Sequence, residues 1–273
     1  MPVKNCGIKS FLGAGLVIAI TLCGVLAARV VVAASSPWQE EKSEHFIIAY
    51  QHVPESFVKD VIEAAEDHYR QTMTTLGFTR YTGWTWKNRV KIVIHDSQSA
   101  YVKASHYAWS AGQVSPDTKE IVTFPSESGF FDSLLPHELG HIIFREGVGF
   151  HDNIPLWLEE GVAMYQERAR RLGADADVRD LIAQGYFIPL EDLDRITLRS
   201  GTSRATVQIF YTEAASLVGF LINKYEVYRF VRLCRELKEG QRFDVALNKA
   251  YMEFPNLSAL ERSWRRYLDE TRE

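Results

Sequence analysis

Residues 134–144 read Leu-Leu-Pro-His-Glu-Leu-Gly-His-Ile-Ile-Phe, and no other stretch constrains the chain as strongly. The segment is apolar enough for a core helix, yet it carries His137, Glu138 and His141. Polar groups in such a helix need partners. Four residues apart, His137 and His141 share one helix face. Two imidazoles one turn apart can ligate a single divalent metal, with the neighbouring Glu138 placed to act as a base. Local signals support a helix over Ser133–Arg145. Asp132 or Ser133 can cap it, and Pro136 falls in its first turn, where a missing N–H is tolerated.

A catalytic zinc usually takes three protein ligands and keeps one position for water. The next helix, expected over Pro155–Arg171, opens with Trp157-Leu158-Glu159-Glu160-Gly161. The helical neighbours of Glu160 are Leu156, Trp157, Ala163 and Met164, so its carboxylate sits on an apolar stripe and wants a cation. Glu159 points about 100° away. His151 lies in the Gly-rich join near Gly147–Asn153. Both are weaker candidates for the third ligand. Two His and one carboxylate suit zinc well.

Around these motifs the chain reads as a small sheet followed by helices. His45–Val53 and Arg89–His95 have strand character. Ala111–Val114 and Glu120–Phe124 flank Ser115-Pro116-Asp117-Thr118, a hairpin with turn chemistry. Helices are expected from Pro54 to Leu76, ended by Gly77, and over Asp177–Gln184, Ser203–Tyr225, Tyr228–Lys238, Phe243–Tyr251 and Leu257–Thr271. This is an α+β arrangement. No Pro/Gly/Ser-rich linker divides residues 38–273, so one domain is expected there.

His137-Glu138-x-x-His141, 18 intervening residues, then Glu160 inside Trp-Leu-x-Glu-Gly-x-Ala resembles the pattern of the gluzincin metallopeptidases. The likeness is to the short peptidase-MA-like domains and, beyond them, to the M1 aminopeptidases. It implies a Zn2+ site of His137, His141 and Glu160, with Glu138 as general base and a peptide or protein as substrate. It also implies a zincin (thermolysin-like) fold, in which a small mixed sheet with an edge strand lies over the zinc helix and a helical half follows. Tyr211 matches by position the tyrosine that stabilises the tetrahedral intermediate in M1 enzymes. Physically it would be a neutral donor aimed at the developing oxyanion. One departure is informative. M1 enzymes carry Gly-x-Met-Glu-Asn before the zinc helix, and its Glu holds the substrate amine. Here the region reads Ser110-Ala111-Gly112-Gln113-Val114, without a Glu. That favours an endopeptidase over an aminopeptidase. The likeness also implies that a strand at Ala111–Val114 borders the cleft and pairs with an extended substrate.

The amino terminus sets the expected compartment. Lys4 and Lys9 precede an uncharged run from Phe11 to Ala28, and small residues follow up to Ala34. Residues 1–34 read as a signal peptide cleaved after Ala34, or as an uncleaved anchor through residues 11–28, with a buried core helix as the remaining alternative. Either leading reading exports the rest, periplasmic or extracellular, since basic residues favour an inside amino terminus. The whole chain has 31 basic and 35 acidic residues. Without a basic excess, no nucleic-acid partner is expected. Of 3 Cys, only Cys234 lies beyond the leader, and it reads as a buried apolar residue.

Other features carry less. Glu146, Glu159 and Glu213 are candidates to orient the imidazoles. His45, His52, His68, His95, His106 and His151 read as surface or satisfied residues. Arg168, Arg170 and Arg171 read as a solvated helix end where cations suit the macrodipole. Arg262, Arg265 and Arg266 read as a solvated face, and Trp84 and Trp86 as packing residues. The function these features favour is an exported zinc endopeptidase. The alternatives are a metallopeptidase-fold protein that binds partners or assists envelope assembly with little turnover, and an exopeptidase with a different amine anchor.

Overall fold

A computed structural model of the chain describes residues 37–78, 88–105, 112–125, 129–199 and 201–271. The leader, Trp84, Trp86, His106, Ser110 and Ala111 lie outside the described residues. Five strands form one mixed sheet: β1 (Gln39–Lys42), β2 (Phe46–Tyr50), β3 (Val90–Ile94), β4 (Gly112–Ser115) and β5 (Glu120–Thr123), in the order β1-β2-β3-β5-β4. The central β2, β3 and β5 are parallel, while β1 and β4 pair antiparallel at the two edges.

Helix α1 (Glu55–Thr75) crosses from β2 to β3, the long connection that a parallel pair requires. Its Val58, Val61, Ala65, Tyr69 and Thr72 recur at helical spacing and are buried. In β3, Val90, Ile92 and Ile94 are buried and alternate with partly exposed residues, as the period-two pattern predicts. The hairpin β4–β5 forms as expected, with Ser115 opposite Glu120. Two elements had no clear signal. Strand β1 is exposed at every position and holds its place through backbone pairing. Helix α2 (Gln98–Ser105) buries only Tyr101.

The second half is helical: α3 (Leu135–Val148), α4 (Leu156–Gln166), α5 (Arg168–Gln184), α6 (Leu190–Leu193), α7 (Arg204–Asn223), α8 (Val227–Lys238), α9 (Phe243–Ala250) and α10 (Leu257–Glu270). The molecule is thus α+β, a small mixed sheet with a mostly helical half. Helix α7 starts at a Ser203 cap, whose hydroxyl accepts the Thr206 N–H at 3.0 Å. It is long and apolar enough to cross a membrane, but it is mostly buried among its neighbours and serves as a core helix here. Cys234 is buried, as expected.

Three expectations are corrected. The helix expected from Pro155 to Arg171 breaks at Glu167, which has an extended backbone (φ −70°, ψ 110°). The chain then restarts as α5 and runs unbroken to Gln184. Arg168, Arg170 and Arg171 therefore stand at the start of a helix, where the macrodipole disfavours cations. Arg171 lies over the Tyr165 ring at 5.7 Å. Finally, neither Asp132 nor Ser133 caps α3. A π-helical turn at Phe130–Leu134 begins at Gly129 (φ 78°) and leads into the helix.

The packing of α4 on α7 depends on Gly161. A Cβ there would lie 2.5 Å from the Ala214 carbonyl oxygen and 2.8 Å from its carbon. Backbone cannot give way as a flexible side chain can. Gly161→Ala is therefore expected to destabilise the protein by about 1–3 kcal/mol or more, measured by urea unfolding. A loss below about 0.5 kcal/mol, the range of neutral surface changes, would contradict this packing.

Candidate metal centre

Helices α3 and α4 supply the centre. His137 and His141 stand one turn apart on α3, and Glu160 faces them from α4. The two Nε2 atoms are 3.2 Å apart. Glu160 Oε2 lies 3.8 Å from His137 Nε2 and 3.7 Å from His141 Nε2. One ligand atom from each residue lies within 4.8 Å of the others. Three corners of a tetrahedron drawn at zinc's usual ligand distances would be about 3.3 Å apart. The donor set and its spacing fit a divalent ion. The expected third ligand is thus the residue brought to the two histidines. His151 is not, since its ring nitrogen lies 3.2 Å from the Lys238 carbonyl oxygen.

Contacts behind the ligands differ from expectation. Glu167, which sequence reasoning missed, lies 3.0 Å from His137 Nδ1 through Oε1, while its Oε2 accepts the Ser133 hydroxyl. With the proton on Nδ1, His137 keeps its Nε2 lone pair for a metal. The extended Glu167 backbone is what turns this carboxylate from the end of α4 towards α3. A signal was present, since Glu167 follows Glu160 by seven residues, two helical turns along one face. Of the three residues expected to orient the imidazoles, Glu159 comes near, 3.9 Å from His141 Nδ1, and is engaged by Arg145. Glu146 pairs with Lys119 instead. Glu213 is fully buried on α7 and accepts the Ile188 N–H at 2.8 Å, so it serves the connection after α5. Burial raises its pKa to about 8, with the Ile188 bond opposing and Glu261 adding.

Charge in the centre follows from burial and crowding. Burial, partly offset by His137 and reinforced by Glu159 and Glu138, raises the pKa of Glu160 to about 7. Burial also raises that of Glu138, with His137 opposing and Glu167 adding. For His137, burial acts downwards but is outweighed by the bond from Glu167 and the charges of Glu138, Glu160 and Glu167, so the net shift is upwards. His141 is held well below its ordinary value by burial, then by His137 and Arg145. The phenol of Tyr211 is raised by burial and by the charges of Glu160, Glu138 and Glu167. Its ring packs with Met164, Ala174 and Ala215. His45 is engaged by Glu66, and the His68 ring lies 2.7 Å from the Phe131 carbonyl oxygen.

Two imidazoles and a carboxylate converging on one point form a cluster compatible with a metal ion. The chain belongs to the Peptidase MA superfamily, whose family model matches residues 70–270 and spans every residue of the centre. Membership gives it a metallopeptidase-like fold and implies peptide or protein substrates. No curated protein matches the chain.

Metal ligands must be deprotonated to bind. In the metal-free protein, Glu160 titrates at about 7 and His137 above its ordinary value. Zinc affinity is therefore expected to climb between about pH 6 and about pH 8, with proton release on binding, in calorimetric titrations. Affinity independent of pH over that interval would contradict the arrangement.

Proposed function

We propose that this protein is a zinc-dependent endopeptidase. The observation that carries the reading is the convergence of His137 Nε2, His141 Nε2 and Glu160 Oε2 in a Peptidase MA chain. Zinc, when bound, supplies a Lewis acid and acidifies a water. Glu138 would take the proton of the attacking water as its oxygen bonds to the scissile carbonyl, and would deliver it to the leaving amine as the C–N bond breaks. Its raised pKa suits both roles. Tyr211, kept protonated by its surroundings, donates a hydrogen bond to the developing oxyanion. Glu167 holds His137 in the tautomer that leaves Nε2 available.

The edge strand β4 supports an extended peptide as substrate. It pairs with β5 on one side and packs against the entry to α3, where a Cβ at Gly112 would lie 3.1 Å from Leu134. An added strand there would give main-chain pairing without an amine anchor. This architecture agrees with a zincin fold. The leader pattern supports export, with residues 11–28 as the candidate anchor.

Glu138→Gln is expected to keep zinc and lose turnover by about 10²–10⁴-fold. Tyr211→Phe should lose about 10²–10³-fold, mostly in kcat. Both are read by mass spectrometry of cleaved peptide libraries. Metal-dependent cleavage unchanged in Glu138→Gln would overturn the mechanism. A zinc-loaded wild type that cuts nothing in the library would favour partner binding instead.

A further inference from the structure

Arg145 and Glu159 lie on the same two helices as the metal ligands. Arg145 follows His141 by four residues on α3, and Glu159 precedes Glu160 on α4. Arg145 Nε donates to Glu159 Oε1 at 2.6 Å, and its terminal NH2 group donates to Oε2. This two-pronged bond fixes both distance and orientation, as a single contact would not. Both side chains are mostly shielded, at 19% and 16% exposed. The remaining guanidinium nitrogen donates to the His151 carbonyl at 3.1 Å, so the loop between α3 and α4 is held as well. Glu159 Oε1 also stands 3.9 Å from His141 Nδ1, on the side of the ring away from Glu160.

The pair therefore spans α3 and α4 in parallel with the bridge that His141, a metal and Glu160 would make. We propose that Arg145 is a positioning residue that presets the metal centre, holding α4 in register with α3 so that Glu160 faces the histidines before any ion arrives. Acidic crowding makes such a device necessary. Glu159 and Glu138 both act on Glu160 with like charge, and among the described residues no other arginine or lysine bridges the two helices. Without the fork, the carboxylate of Glu160 is free to turn towards water, and binding must then pay to bring it back. Part of the population is then not competent, and the apparent affinity falls in proportion.

This inference rests on the zinc reading, and its test separates the two. Zinc dissociation constants are measured by competition with a chromophoric chelator on the full chain, for wild type, Arg145→Met, Glu159→Gln and the double variant. Circular dichroism confirms the fold of each. Preorganisation predicts weakening of about 10–100-fold in Arg145→Met. The double variant should be no weaker than the worse single one, because both break the same pair. Arg145→Lys, which keeps the charge with one prong, should fall in between. A folded Arg145→Met with wild-type zinc affinity would overturn the proposal, since a purely structural role lowers the melting temperature and leaves affinity alone. If Arg145→Met does not fold, Arg145→Lys and Glu159→Gln carry the same comparison. Wild type that binds no zinc overturns the underlying reading and this inference together.

Discussion

The seating of α4 between α3 and α7 governs everything at the centre. Two glycines permit it. A Cβ at Gly140 on α3 would come within 3.0 Å of the Ala163 Cα, and one at Gly161 on α4 would strike the Ala214 carbonyl. Close approach on both sides places Glu160 against the imidazoles. It also strips water from three ligating groups, which raises the cost of leaving them without a cation. The same packing that buries the core thus creates a demand for charge at one point.

That demand shapes the electrostatics. Glu138, Glu159, Glu160 and Glu167 crowd round two histidines, and among the described residues only Glu159 has an arginine partner at the centre. The two imidazoles are treated differently. His137 rests on Glu167, while His141 faces a carboxylate already engaged by Arg145. One ring is pushed towards protonation and the other is held neutral by burial. Glu138 and Glu160 are both shifted towards their neutral forms. A divalent ion would reverse this for the ligands.

Much of this was legible in the residues. His137, His141 and Glu160 declared themselves because polar groups on apolar helix faces require a common partner. The sheet was read in part, since β3 and the β4–β5 hairpin alternate while β1 contains no apolar residue. What escaped was set by tertiary contact. The break at Glu167 has no Gly or Pro to announce it. It is held by the carboxylate's bonds to Ser133 and His137 on another element. For the same reason Ser133 was misread as a cap, and three arginines were assigned to the wrong end of a helix. Glu146 and Glu213 had plausible spacing, but spacing alone does not tell which face a neighbouring helix will cover.

Three ligands holding one ion would unite α3 and α4 at this centre. Metal content by mass spectrometry, wild type beside Glu160→Ala, tests that directly. Near-stoichiometric zinc in the first and strong loss in the second are the expected results. Carefully handled wild type that carries no tightly bound metal would contradict it.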